Sequence, residues 1–188
     1  MRRLWDQIRQ WVLECAQGQS WVFRLPVWLF CVYLLGRFIS DSQYASIFSG
    51  LNLGIHEFGH LIFSPFGLTL NIAGGTIVEC AVPLYSFWLF IQQRDAFAPT
   101  FSFAWLSTSL FDVAHYMADA RTMELQLVSP FGADAYHDWN YLLDRFGLLS
   151  YDQTIAAIVR VAAYLSLTIS VLYGGWVLWL MAHQEQEG

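Results

Sequence analysis

Residues 46–66, SIFSGLNLGIHEFGHLIFSPF, are apolar almost throughout, yet they hold His56, Glu57 and His60 within five positions. Two imidazoles and a carboxylate are costly in hydrocarbon, so ionisable side chains at that depth mark a functional site. Read as a helix, the segment projects His56 and His60 from one face, because residues four apart lie one above the other. Two imidazoles on one face can serve a single metal ion. Glu57, one residue on, can act on a water beside that ion without binding the ion itself.

The composition fits a membrane setting. The 188 residues are 56% hydrophobic and 18% aromatic but only 13% charged, about half the charged share of an ordinary soluble domain. All nine basic residues are arginine, set against fifteen acids for a formal charge of -6. No basic patch interleaved with aromatics is present, which excludes a nucleic-acid partner as the reading. Cys15, Cys31 and Cys80 have neither paired spacing nor a C-x-x-C motif, so they read as buried thiols. Nine tryptophans suit belts at the two membrane surfaces.

Working outward gives an all-α polytopic membrane protein of about five transmembrane helices. Residues 1–20 carry Arg2, Arg3 and Arg9 with Trp5, Ile8, Trp11, Val12 and Cys15 at spacings near three and four, the pattern of an amphipathic helix lying on the bilayer. Residues 21–39 form a first, retained span rather than a cleaved signal, with Arg24 and Arg37 snorkelling at its ends. Residues 44–63 form the second span, stopped by Ser64-Pro65-Phe66-Gly67. Residues 68–76, LTLNIAGGT, alternate apolar with small or polar side chains around Gly74-Gly75 and predict a short re-entrant, strand-like segment. Helices follow over 77–92, with Glu79 and Pro83 near the start, over 97–120, and over 154–182, where Gly174-Gly175 permits close packing.

The chain thus divides into an interfacial helix (1–20), a metal-bearing membrane core (21–120), an acidic cytoplasmic loop (121–153), and a last span with its tail (154–188). With the N-terminus in the cytoplasm, five crossings put Arg2, Arg3, Arg9, Arg24, Arg121, Arg145 and Arg160 inside and Arg37 and Arg94 outside. Seven against two agrees with the positive-inside bias and sets the histidine pair toward the cytoplasmic side.

Catalytic zinc takes three protein ligands and keeps a fourth position open. The helix over 97–120 offers Asp112, His115 and Asp119 on one face. Asp119 lies nearest the expected depth and is the first choice; a local pairing with Arg121 or Arg160 is an equal alternative for it. Asp112 is the runner-up, or orients a ligand histidine from behind. His137-Asp138 supplies a ligand or cover for the site, or else Asp138 caps a helix entering Trp139-Asn140-Tyr141, and the cap is preferred. Glu79 lines the cavity or faces the headgroups.

The H-E-x-G-H run, the later Gly74-Gly75 and a further helix bearing an aspartate together resemble the site-2 protease family of membrane-embedded zinc metalloproteases, over roughly residues 44–121. The resemblance implies Zn²⁺ held by His56, His60 and an aspartate, Glu57 as general base, and a transmembrane or membrane-adjacent polypeptide as substrate. Where the family sets its aspartate in an Asp-Gly context after an Asn and prolines, this chain reads Asp119-Ala120-Arg121. An extended backbone at Gly74 and Gly75 is expected to pair with an unwound substrate by strand addition. The alternative is a non-proteolytic metal-binding membrane subunit with a structural or partner-binding role. A multi-histidine di-iron enzyme is disfavoured, since one histidine box supplies too few ligands.

Overall fold

The computed structural model describes residues 2–126 and 137–187, and these residues form helices with no strand among them. Seven α-helices follow in order: α1 Arg2–Ala16, α2 Leu25–Ser40, α3 Ser49–Phe63, α4 Leu68–Gln92, α5 Pro99–Ala118, α6 Asp138–Arg145 and α7 Asp152–Glu187. Single 3-10 turns at Ser64–Phe66 and Leu149–Tyr151 precede α4 and α7. The all-α class agrees with the composition. Of the acidic cluster before α6, Asp134, Ala135 and Tyr136 lie outside the described residues.

Two helices are long and apolar enough to cross a membrane: α4, and the run Leu149–Gln184 that holds most of α7. At 25 and 36 residues, α4 and α7 extend about 37 and 54 Å, against a hydrocarbon core of about 30 Å. α2 and α3, at 16 and 15 residues, reach only about 24 Å or less. α5 has 20 residues, and its buried face is rich in hydroxyls.

Those hydroxyls join the antiparallel pair α5 and α7. Ser107 donates to the Ala163 carbonyl at 2.9 Å, while Ser166 and Ser170 donate to the Phe103 and Thr100 carbonyls at 2.7 Å. Such bonds, with small residues between them, are how apolar helices associate closely. Gly174 serves the same end: a Cβ there would lie 2.6 Å from Thr100 Cγ2. α2 packs antiparallel to α7, with Trp28 Nε1 donating to the Val171 carbonyl at 2.8 Å and the Tyr164 hydroxyl donating to the Phe38 carbonyl at 2.7 Å. Phe38 stacks on Phe111 of α5 with ring centroids 3.9 Å apart.

α1 departs from its expected place. Val12, Cys15 and Ala16 are buried against Val177, Leu178 and Met181 of α7, and Trp5 meets Trp176 at 5.0 Å. Leu4, Trp5 and Ile8 remain exposed. The apolar face predicted to lie wholly on the bilayer is therefore shared with the bundle.

The strand-like reading of residues 68–76 is corrected: they form the first turns of α4, which is continuous from Leu68 to Gln92. Gly67, at φ +89°, makes the sharp turn that folds α4 back along α3. Gly74 and Gly75 then face α3, where a Cβ on Gly74 would sit 2.8 Å from the Gly59 carbonyl oxygen and one on Gly75 2.5 Å from His56 Nε2. The glycine pair lowers local helix propensity, but tertiary packing that only glycine permits overrides it.

The packing also revises which residues share an end of the bundle. Arg24, before α2, pairs with Asp95 in the α4–α5 loop at 3.1 Å, and Arg94 pairs with Glu14 of α1 at 3.3 Å. α1, the start of α2 and the 93–98 loop therefore lie together, opposite the end that holds α6 and the Arg121–Asp152 pair. The reason is α3. Its first turn meets α5 partway along, with Phe48 against Phe101 and Trp105 at 5.9 and 6.4 Å. Residues 41–48 fold back from the end of α2, so the segment over 44–63 is not a full crossing. The arginines then divide as Arg2, Arg3, Arg9, Arg24 and Arg94 at one end and Arg37, Arg121, Arg145 and Arg160 toward the other.

Candidate metal centre

α3 presents Asn52, His56, Gly59 and His60 on the side that faces α4 and α5. The absence of Cβ atoms at Gly59, Gly74 and Gly75 lets α4 approach until its backbone lies against the His56 ring. Both imidazoles are fixed from behind. His56 Nδ1 lies 2.9 Å from Glu79 Oε2, and His60 Nδ1 lies 2.8 Å from the Asn71 carbonyl oxygen, both on α4. Asn71 answers by donating its side-chain amide to the His60 carbonyl at 2.8 Å. A carbonyl only accepts, so His60 Nδ1 carries a proton and its Nε2 faces the opposite way.

Both Nε2 atoms meet one oxygen. Asp138 Oδ2 lies 2.9 Å from His56 Nε2 and 3.1 Å from His60 Nε2. The three ligand atoms lie within 4.8 Å of one another. With the His60 Nδ1 proton committed to Asn71, its Nε2 contact to the carboxylate needs either a proton, as an imidazolium would supply, or a cation between the two. One divalent cation would meet both histidine contacts with the rings neutral. Tetrahedral zinc, at about 2.0–2.1 Å from each ligand atom, sets those atoms about 3.3 Å apart. The two distances from Asp138 are a few tenths of an ångström shorter than that, and the two Nε2 atoms lie within 4.8 Å of each other. The donor set therefore fits zinc.

Asp138 reaches the site because the segment after α5 is tied down residue by residue. Asp119 accepts the Thr122 hydroxyl at 2.5 Å and the backbone N–H groups of Glu124 and Leu125 at 3.0 Å. Burial raises the Asp119 carboxyl, but these donors and His137 outweigh it and bring the group to about 2. His137 is the N-cap of α6: its Nδ1 accepts the Asn140 N–H at 3.2 Å, which leaves Nε2–H to donate to Asp119 Oδ2 at 3.2 Å. Asn140 Nδ2 donates to the Ala120 carbonyl at 2.8 Å, and the Asp138 N–H donates to the Tyr116 hydroxyl at 3.0 Å. Burial pushes the Asp138 carboxyl up, while the two imidazoles beside it act the other way and leave it below its ordinary range.

The expected third ligands stand elsewhere. Asp119 is taken up by the loop it organises and does not reach the two histidines. Among the described residues it pairs with neither Arg121, which binds Asp152 at 2.8 Å, nor Arg160. Asp112 accepts Ser49 Oγ at 3.1 Å and Asn52 Nδ2 at 2.8 Å, a turn of α3 before His56. The cap assigned to Asp138 belongs to His137, one residue earlier. Gly74 and Gly75 offer no strand edge, because their backbone is helical and packed on α3. Glu79, read only as lining or headgroup-facing, is 4% exposed and holds His56 from behind. Asp138, read first as a helix cap and only second as a ligand, is the carboxylate that meets the two histidines; the one signal for it was an acid beside a histidine in the long polar segment.

Glu57 is half-buried on α3. Gly50 and Gly54 share its side of the helix, and a Cβ on either would meet open space. A carboxylate beside the three ligands is thus approachable from outside the bundle. No family model, curated protein or solved structure matches the chain.

Proposed function

We propose that the chain is an intramembrane zinc metalloprotease of the site-2 protease kind, hydrolysing a peptide bond in a transmembrane or membrane-adjacent substrate. One observation carries the reading: His56, His60 and Asp138 converge through acceptor atoms while the opposite ring nitrogens are engaged by α4, and Glu57 stands one residue from the first ligand. These three groups would hold a zinc ion, which would supply a bound water with its pKa lowered to about 7 and a Lewis acid for the scissile carbonyl. Glu57 takes a proton from the attacking water as its oxygen bonds to the carbonyl carbon and the C=O π pair moves to oxygen. When the C–N bond breaks, its electron pair goes to nitrogen, which receives the proton from Glu57; the products are an amine and a carboxylic acid, which gives up its remaining proton to water. Glu79 and the Asn71 carbonyl keep the two rings oriented throughout.

The substrate approaches from the side of α3 that carries Gly50, Gly54 and Glu57. A helical substrate must unwind locally, because each helix carbonyl is occupied by its own hydrogen bond. Several helices embedded in the bilayer, rather than α4 and α7 alone, give the site its water-poor setting.

The test is metal analysis and cleavage of a model transmembrane substrate by the wild-type chain and Glu57→Gln. Glu57→Gln is expected to keep one zinc per chain and to lose cleavage. Zinc binding with no cleavage by the wild type would leave a metal-binding subunit in place of a protease.

A further inference from the structure

Tyr116 stands on α5 beside His56, and among the described residues its hydroxyl proton has no acceptor. The phenol oxygen accepts the Asp138 N–H at 3.0 Å, and among the described residues it makes no other hydrogen bond. The ring is held between His56 and His137, with centroids 6.1 and 4.4 Å away. An oxygen pinned by a backbone N–H can still turn its own hydrogen toward a second partner. The phenol oxygen thus stands beside the backbone of the candidate third ligand. Among the described residues, Glu79 Oε2 is engaged by His56, the Asn71 carbonyl by His60, and His137 by Asp119 and Asn140.

We propose that Tyr116 is a catalytic residue whose hydroxyl donates a hydrogen bond to the scissile carbonyl oxygen as negative charge develops there. This rests on the metalloprotease reading above. When water oxygen bonds to the carbonyl carbon and the π pair moves to the carbonyl oxygen, the Tyr116 O–H is aimed at that charge and stays bonded to its own oxygen. When the C–N bond breaks, the pair returns to re-form the carbonyl and the hydrogen bond weakens. A donor that strengthens only as charge appears lowers the barrier without tightening the ground state, and loss of one such donor costs about 10²–10³ in kcat.

The experiment uses the purified full chain with Tyr116→Phe, an isosteric change. Zinc dissociation constant, kcat, KM, and affinity for a phosphinate peptide shaped like the tetrahedral adduct are measured beside wild type and Glu57→Gln. Expected are a zinc constant and KM within about threefold of wild type, with kcat and phosphinate affinity each lower by about 100-fold. If kcat stays within about threefold while zinc is bound, the proposal is overturned and the protease reading stands. If wild type cleaves no faster than Glu57→Gln, both are overturned. Should Tyr116→Phe lose zinc, 3-fluorotyrosine at position 116 decides, because it keeps the acceptor for Asp138 and changes only the acidity of the donor. A change in kcat of more than about threefold at full zinc then supports the catalytic role, and an unchanged kcat overturns it.

Discussion

His56 has two ring nitrogens, and only one can face a metal ion. Glu79 decides which, because a carboxylate 2.9 Å from Nδ1 favours the proton there and turns Nε2 toward Asp138, where the proposed ion would be held. Glu79→Gln keeps the shape but replaces the carboxylate with an amide whose oxygen and nitrogen are both available to the ring. Zinc affinity is expected to fall about 10–100-fold, read by chelator competition, with little change in helix content. An unchanged zinc constant would reduce Glu79 to a packing residue. His56, His60 and Glu57 were legible in the sequence because their relation is local: four residues make one helical turn. Asp138 was not, since it joins the site across 82 positions through loop contacts that no periodicity encodes. Its neighbours in sequence spelled a helix start, and a helix does start there.

At the scale of the element, two contacts set the site: α3 against α4, and α6 against the end of α5. The first depends on Gly75, where a Cβ would fall 2.5 Å from His56 Nε2. Gly75→Ala gains up to about 1 kcal/mol of helix propensity but forces His56 aside at about 1–3 kcal/mol, so the site loses. Zinc affinity should drop at least about tenfold. Gly54→Ala, on the open side of the same interface helix, should bind zinc as the wild type does, and equal binding by both variants would show that the close approach is not required. The second contact depends on Asp119. Its carboxyl lies at about 2 in the folded chain against an ordinary 3.8, so its contribution is complete above the ordinary value and is lost as pH falls toward 2. On the order of 1 kcal/mol is at stake. The difference in thermal stability between wild type and Asp119→Asn should be present at pH 6 and vanish near pH 2; a constant difference would mean that ionisation of Asp119 does not hold the loop. Alternation around Gly74-Gly75 suggested a strand because intrinsic propensity was read without the neighbour that makes glycine necessary there.

Across the whole molecule, length decided more than hydropathy. α3 carries the metal ligands yet at 15 residues spans about 22 Å, too short for a hydrocarbon core of about 30 Å. Its apolar character could be seen in the sequence; that it starts partway along α5, after a chain segment folds back from α2, could not. Counting it as a full crossing exchanged the sides of everything before it, which is how Arg24 and the N-terminal helix came to be placed beside the site. The ion pairs Arg24–Asp95 and Arg94–Glu14 tie those segments to the opposite end. The arginine bias then no longer selects a side, but the pairing yields a sharper expectation that does not depend on orientation. Single cysteines at positions 6 and 94, introduced into a chain lacking Cys15, Cys31 and Cys80, should react with an impermeant thiol reagent from the same face of sealed vesicles. A cysteine at position 145, in the last turn of α6, should react only from the other face. Labelling of positions 6 and 145 from one face would mean that α3 crosses completely, and with it the depth assigned to His56 and His60 would have to change.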